Sequence, residues 1–189
     1  TQNLGVEYVS AHINSVERAQ DGDIARLILD DGELAGDLFV DCSGQQSLLL
    51  GQQMGVELIP ADGILFNDRA LAVQVPYERP DATIASTTHS TAQEAGWIWD
   101  IGLQSRRGLG YVHSGAHTTP EQAYRALCQY IDQTSPETAV ADLSFRELSF
   151  VPGYRATFWD HNCVAVGLSA GFIEPLEASA LALVEQSAN

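Results

Sequence analysis

Apolar and polar positions alternate along residues 6–16, 24–29 and 38–40, with turns at Asp21-Gly-Asp23 and Asp30-Asp-Gly32 between them. A period of two punctuated by Asp-Gly predicts a three-stranded antiparallel meander that ends at Ser43-Gly44. Residues 47–54 are predicted to form a short helix, and Pro60-Ala-Asp-Gly63 marks a crossing into a second domain. The alternating, β-branched and aromatic pattern resumes at residues 70–75, 83–89, 96–101 and 109–113, which predicts an antiparallel sheet. A helix follows: Thr119 is its N-cap, Pro120 its first residue, Glu121 suits the first turn, and Ala123, Leu127, Tyr130 and Ile131 share one side. Strands are predicted again over residues 143–151 and 154–159.

The chain is organised around its last stretch. Asn162-Cys-Val-Ala-Val166 is an apolar run suited to a strand buried on both faces, and it stops at the small residues Gly167, Ser169, Ala170 and Gly171. Small residues there let a ligand approach the main chain. Pro175 is expected in the first turn of a helix, Glu174 and Glu177 near its positive end, and Leu181 and Val184 on an inward stripe. Free N–H groups would then cluster near Ser179 and Ala180, a place for an anion or the electron-rich edge of a ring.

Composition narrows the classes. With 25 acidic and 9 basic residues the formal net charge is −16, which argues against nucleic acid or an anionic membrane surface as partner. All the basic residues are arginines; there is no lysine. Cys42, Cys128 and Cys163 are widely separated in apolar contexts and are expected as buried thiols, neither disulfides nor metal ligands. His12, His89, His113, His117 and His161 show no metal-ligand spacing. The chain contains no apolar run of membrane-spanning length and opens on no signal-peptide pattern, so a cytoplasmic protein is the expectation. A removed N-terminus would hide a targeting segment.

Three blocks together carry a family resemblance. Asn162 to Leu181, reading NCVAVGLSAGFIEPLEASAL, resembles the C-terminal flavin signature of the flavin-dependent tryptophan halogenases. Gly96-Trp-Ile-Trp-Asp-Ile-Gly102 is similar to that family's W-x-W-x-I-P box, with Gly102 in place of the proline, and Arg107-Gly-Leu-Gly-Tyr-Val-His113 to the segment that follows it. Asp37-Leu-Phe-Val-Asp-Cys-Ser-Gly44 resembles its D-x-x-x-D-C-S-G strand. The resemblance implies a mixed α/β fold: an FAD-binding Rossmann-like domain of the hydroxylase or glutathione-reductase type, with an antiparallel β-sheet substrate domain. The corresponding boundaries are residues 1–58 in the flavin domain, 59–160 in the substrate-side domain and 161–189 back in the flavin domain. In the family the meander is an accessory layer, and its D-C-S-G strand approaches the adenosine half of FAD.

The resemblance also implies a chemistry. Reduced FAD, supplied by a separate flavin reductase, reacts with oxygen to a flavin hydroperoxide; chloride or bromide attacks it, and the hypohalous acid formed halogenates tryptophan or a related indole or electron-rich aromatic in secondary metabolism. Ser43, Gly44, Gly167, Leu168, Ser169, Ala170, Gly171 and Pro175 match cofactor-binding positions. Ser179 and Ala180 match the halide site, where Ala180 replaces a glycine. By its chemistry alone Glu177 reads as a helix-terminal acid; it matches the family's catalytic glutamate, a general base for the ring proton. Trp97, Trp99 and Ile101 match the family's marker box, and two tryptophans two apart on a strand also suit core packing.

The family's G-x-G-x-x-G and its catalytic lysine fall before Thr1, and its later helical region beyond Asn189. The expectation is therefore a central piece of a longer halogenase, inactive by itself. A flavin monooxygenase-like oxidoreductase and a non-catalytic, degenerate relative remain the alternatives; the oligomeric state is open, a homodimer included.

Overall fold

In the computed structural model, which describes residues 4–176 and 179–188, the chain divides into two compact units. One is Ala61–Pro152 and the other comprises the residues on either side of it. The first stretch contributes β1 (Ile13–Arg18), β2 (Ile24–Leu29), β3 (Gly32–Ala35), β4 (Phe39–Asp41) and β5 (Leu58–Pro60), with one wide helical turn at Leu48–Gln53. The middle unit holds β6 (Arg69–Pro76), β7 (His89–Gln93), β8 (Gly96–Gly102), β9 (Arg106–His113), α1 (Pro120–Thr134) and β10 (Phe145–Ser149). The closing stretch adds β11 (Gly153–Arg155), β12 (Trp159–Asp160), β13 (Cys163–Ala165), β14 (Gly171–Phe172) and α2 (Ser179–Ala188). The fold is thus mixed α/β with antiparallel sheets and one parallel strand pair.

The meander forms, with different members. β1 and β2 pair antiparallel, but β1 begins at Ile13, well inside the expected strand. The third strand is β3, because Leu29 pairs with Gly32 across Asp30-Asp31 and the chain turns straight back, with Gly32 at φ +105°. β3 is exposed throughout and has no apolar alternation to announce it. Residues 38–40, expected as the third strand, instead supply β4 to another sheet, of order β12-β13-β4. There β4 runs parallel to β13, Val40 opposite Val164 and Asp41 opposite Ala165. Ile24, Leu27, Phe39, Leu50, Met54, Cys163 and Ala165 form the core beneath.

The segment expected as one strand over residues 154–159 is split. β11 pairs with β5 and β14, whereas β12 pairs with β13, and Thr157 marks the break, its hydroxyl donating to Trp159 O at 2.9 Å. These pairings put residues 153–160 in the outer unit. The compact units accordingly divide at Pro60/Ala61 and Pro152/Gly153, against the sequence expectation of 59 and 161.

In the middle unit the sheet order is β10-β6-β9-β8-β7, antiparallel throughout. The expected strand over residues 83–89 appears later, as β7, since Gln93 pairs with Gly96 and the tight Glu94-Ala95 turn sets the register. Helix α1 has the anticipated start: Thr119 Oγ1 accepts from Gln122 N–H at 3.3 Å and Gln122 Oε1 from Thr119 N–H at 2.8 Å, a reciprocal cap. Its Ala123, Leu127 and Ile131 pack on Leu71, Val73, Val75, Ile98, Leu109 and Tyr111 from one face of the sheet. Each large aliphatic side chain buried there is worth about 1.5–3 kcal/mol.

The far end of α1 is tied down by charge. Arg107 Nε donates to Asp100 Oδ1 at 3.0 Å and its Nη2 to Asp100 Oδ2, while Nη1 reaches the Ser135 hydroxyl at 2.6 Å and Nη2 the Thr134 hydroxyl at 3.1 Å. The two side chains are only 14% and 8% exposed. Asp100 also accepts from the Tyr130 hydroxyl at 3.1 Å, so a carboxylate under the sheet anchors the last turn of the helix. Removing one member of such a pair strands the other charge. Asp100→Ala is expected to lower the stability of the middle unit by about 3 kcal/mol or more, read as a lower denaturant midpoint.

Candidate functional site

The parallel strands β4 and β13 both end at tight turns, and the carboxyl ends of parallel strands are where α/β sheets bind ligands. The end of β4 is built on Asp41, a side chain 1% exposed. Its Oδ1 accepts from the Ser43 N–H at 3.0 Å and from the Ser43 hydroxyl. Its Oδ2 accepts from Leu50 N–H at 2.8 Å, Leu49 N–H at 3.0 Å and the Ser47 hydroxyl at 3.3 Å. One carboxylate therefore closes the Cys42-Ser43-Gly44 turn and caps the Leu48–Gln53 turn that follows. That helical turn is wide: Gln52 N–H donates to Ser47 O and Met54 N–H to Leu49 O, each at 2.9 Å and five residues apart. Ser47 enters it at φ 43°, a left-handed conformation uncommon without glycine, with its hydroxyl accepting from Gly51 N–H at 3.0 Å. Sequence reasoning expected a helix here and assigned Asp41 no role; its place in the D-C-S-G block was the available signal.

The end of β13 is bound to the same point. Val166 N–H donates to Asp41 O at 3.0 Å, and the buried Ser169 hydroxyl lies between Asp41 O and Val166 O, between which its hydrogen is shared. The Gly167–Ser169 turn thus sits beside Gly44–Gln46. Two of the anticipated glycines line this junction in left-handed conformations, Gly44 at φ +74° and Gly167 at φ +76°. A Cβ on Gly44 would meet no atom within 4 Å, so main chain faces open space there.

The other anticipated residues divide by what they touch. Ser43 gives its hydroxyl to Asp41 and accepts from Leu48 N–H at 2.7 Å; Ser169 is fully buried; both side chains are committed to the fold. Gly171 belongs to β14, and its missing Cβ makes room for Gly153 O, 2.6 Å from where that atom would be. Ala170 O accepts from Arg155 N–H at 2.8 Å. Leu168 is 42% exposed. Pro175 is followed by a helical turn at Leu176, and the described part of α2 is Ser179–Ala188. Ser179 and Ala180 lie in the first described turn of α2, and the Ser179 hydroxyl donates to Glu174 O at 2.8 Å. Ala180 has no positive φ, so its side chain meets no backbone strain. The inward stripe reduces to Val184, 3.4 Å from a Cβ at Gly167, because Leu181 is 71% exposed. Glu177 lies outside the described residues.

Within the middle unit, Trp97 and Trp99 share one face of β8 with ring centroids 6.2 Å apart, edge to face. Trp99 lies over Gly110, where a Cβ would come within 2.1 Å of the indole. The glycine of that segment is therefore the seat of the ring. Ile101 follows on the same face, 39% exposed. A Cβ on Gly102 would come within 3.0 Å of Ile84 Cγ2 and Ala85 O. Of the cysteines only Cys163 is buried; Cys42 is exposed and Cys128 half-buried, against the expectation of three buried thiols. Among the described residues no cluster of His, Cys, Asp and Glu is arranged for a metal, and no helix is long and apolar enough to cross a membrane.

These features define an α/β protein whose candidate site is a main-chain cradle at the ends of two parallel strands. Its family follows from comparison: the chain matches the tryptophan halogenase family over residues 1–189, and it belongs to that family. It is 39% identical over 184 residues to the 7-chloro-L-tryptophan 6-halogenase KtzR of Kutzneria sp. (strain 744), covering 97% of this chain and 35% of that protein. The crystal structure of a tryptophan halogenase from Shewanella frigidimarina NCIMB 400 superposes with a TM-score of 0.92 at 50% identity, over 99% of this chain and 35% of that one. BrvH, a flavin-dependent halogenase from Brevundimonas sp. BAL3, gives a TM-score of 0.88 at 41% identity, over 98% and 37%. The chain thus spans roughly a third of the length of the relatives it matches.

Two predictions come from this geometry. Burial alone would raise the Asp41 carboxyl, but the Ser43 hydroxyl and the N–H groups of Ser43, Leu50 and Leu49 outweigh it and hold the group below the usual carboxylate range. Its stabilising contribution is therefore present above the unfolded aspartate pKa of about 4 and lost as pH falls towards the lower folded value. Asp41→Asn is expected to cost about 1–3 kcal/mol at neutral pH and to flatten the acid limb of the stability profile, as measured by denaturant unfolding between pH 3 and 7. The Cys163 thiol is pushed up to about 11, first by burial and then by Asp41 and Asp160. At pH 8 a thiol reagent should modify Cys42 in the folded protein and reach Cys163 only after unfolding, as peptide mass mapping would reveal.

Proposed function

We propose that the protein is an FADH2-dependent halogenase that chlorinates or brominates tryptophan or a related indole or electron-rich aromatic, with reduced FAD delivered by a separate flavin reductase. The observation that carries this reading is the junction of Gly44 and Gly167 at the carboxyl ends of β4 and β13, in a chain of the tryptophan halogenase family. Two neighbouring left-handed glycines offer N–H and C=O groups without a side chain in front, and this suits a flat, multiply hydrogen-bonding cofactor. The parallel pair is read as part of a Rossmann-type FAD domain and the antiparallel sheet of the middle unit as the substrate-side domain.

FAD would be held through main chain at Gly44, Gly167 and Leu168, with Ser43, Ser169 and Ala170 as the supports behind it. When bound in its reduced form it supplies the oxygen chemistry that turns halide into an electrophilic halogen. The remaining roles fall to the chain's own residues. N–H groups of Ser179 and Ala180 hold the halide, aided by the positive end of α2. Glu177 takes the proton that the aromatic ring loses when the carbon–halogen bond forms. Trp97, Trp99 and Ile101, the marker box, present one apolar face of β8 and are given no acid or base role.

The full-length gene product, given reduced FAD, oxygen, bromide and tryptophan or indole, is expected to yield a brominated indole detectable by mass. Glu177→Gln should lower the turnover about 100-fold or more with halide and FAD binding retained. Oxygen consumption that leaves the aromatic unhalogenated would refute the reading. A hydroxylated product, formed equally with and without bromide, would instead favour a monooxygenase.

A further inference from the structure

Resting on the flavin reading above, we infer that Arg155 is the positioning residue of the flavin-binding turn at 167–170, holding it from behind through its forked guanidinium. The side chain comes from β11 and is partly buried. Its Nε donates to Ser169 O at 3.2 Å and its Nη1 to Val56 O at 2.9 Å, while its own main-chain N–H donates to Ala170 O at 2.8 Å. Two consecutive carbonyls of the turn are thereby fixed by one residue, one through the backbone and one through the guanidinium.

The same guanidinium lies against the wide turn at Leu48–Gln53. A Cβ on Gly51 would come within 2.7 Å of Arg155 Cζ and Nη2 and 2.8 Å of Nη1, so the absence of a side chain at Gly51 is what lets the fork lie flat there. Gly51 is not at a positive φ, so turn geometry does not account for the glycine. Arg155 therefore joins the structure following Gly44 to the structure following Gly167, the two turns of the proposed cradle.

The guanidinium is used here as a donor fork, as that of the exposed Arg18 is towards Gly22 O and Gln53 O. Arg26, Arg69, Arg79 and Arg107 each meet a carboxylate, whereas the side-chain hydrogen bonds of Arg155 go only to carbonyl oxygens, and among the described residues it forms no ion pair. A lysine offers point-charge donors where this site needs two donors held in one plane. With Ser169 O and Ala170 O drawn inward to Arg155, and Ala170 N–H given to Gly167 O at 3.0 Å, the main chain at Gly167 and Leu168 is the edge of the turn offered to a ligand. The residue acts on the cofactor through the turn, without a contact of its own being required.

The test measures FAD affinity by fluorescence quenching and thermal stability without FAD, in the full-length protein. Arg155→Met removes the fork, and Gly51→Ala displaces it while leaving the arginine in place. Asn162→Ala is the control: its side chain clasps Ile24 N and O at 2.8 and 2.9 Å at the opposite end of β13, remote from the turn. Arg155→Met and Gly51→Ala should each weaken FAD binding about tenfold or more. Asn162→Ala should lower thermal stability yet leave FAD affinity within about twofold, as expected of a site held by local hydrogen bonds. Unchanged FAD affinity in both site variants overturns the inference, and so does an equal loss in Asn162→Ala, because the effect would then be stability alone. If the wild-type protein binds no FAD, the functional reading fails, and the inference fails with it.

Discussion

The Asp41 carboxylate is the constraint on which the outer unit depends. A buried carboxylate is tolerable only when its lone pairs are met by donors, and here the donors come from the Ser43 turn and from the wide turn at Leu48–Gln53. Its main-chain oxygen at the same residue takes Val166 N–H and Ser169 Oγ from the other parallel strand. A single residue consequently fixes where both strands end and which way each turn departs. The short strands β4, β12 and β13 span only two or three residues each, too few for ladder hydrogen bonds alone to set their ends with precision. Polar side chains beneath the turns supply what the ladder lacks.

Two of the partly buried arginines, Arg107 and Arg155, serve a similar purpose in different ways. Arg107 is neutralised by Asp100 and spends its remaining donors on the last turn of α1. Among the described residues Arg155 meets no carboxylate, and its side-chain hydrogen bonds go to carbonyls. In a chain of net charge −16 an unpaired cation is favoured by the general field. It can therefore be used as a donor fork without the desolvation penalty of a second buried charge.

Much of the middle unit was legible in sequence because its signals are local. Thr119, Pro120 and Gln122 specify the start of α1, and the alternation of residues 70–75, 96–101 and 109–113 specifies β6, β8 and β9. Misreadings arose where a long-range partner decides. Residues 38–40 look like the end of a meander, yet they pair with β13 more than a hundred residues later in the chain. Gly-Glu-Leu-Ala looks like a linker and is a strand because the Asp30-Asp31 turn leaves it nowhere else to go. Residues 154–159 look continuous until β5 and β13 claim their two ends.

The candidate site was legible in outline and obscure in mechanism for a related reason. Gly44, Gly167 and Gly171 appear equivalent in sequence, but the first two stand at left-handed turns while the third exists so that β11 can approach. Ser43 and Ser169 look like ligand-facing hydroxyls, but each is turned inward to hold a turn. The side chains thus do the structural work and leave main chain outward. A cradle of that kind carries little side-chain chemistry for a sequence motif to display. What a sequence can register instead is the support behind it: an aspartate at a strand end, serines one turn on, and a glycine at 51 whose purpose is visible only once Arg155 lies against it.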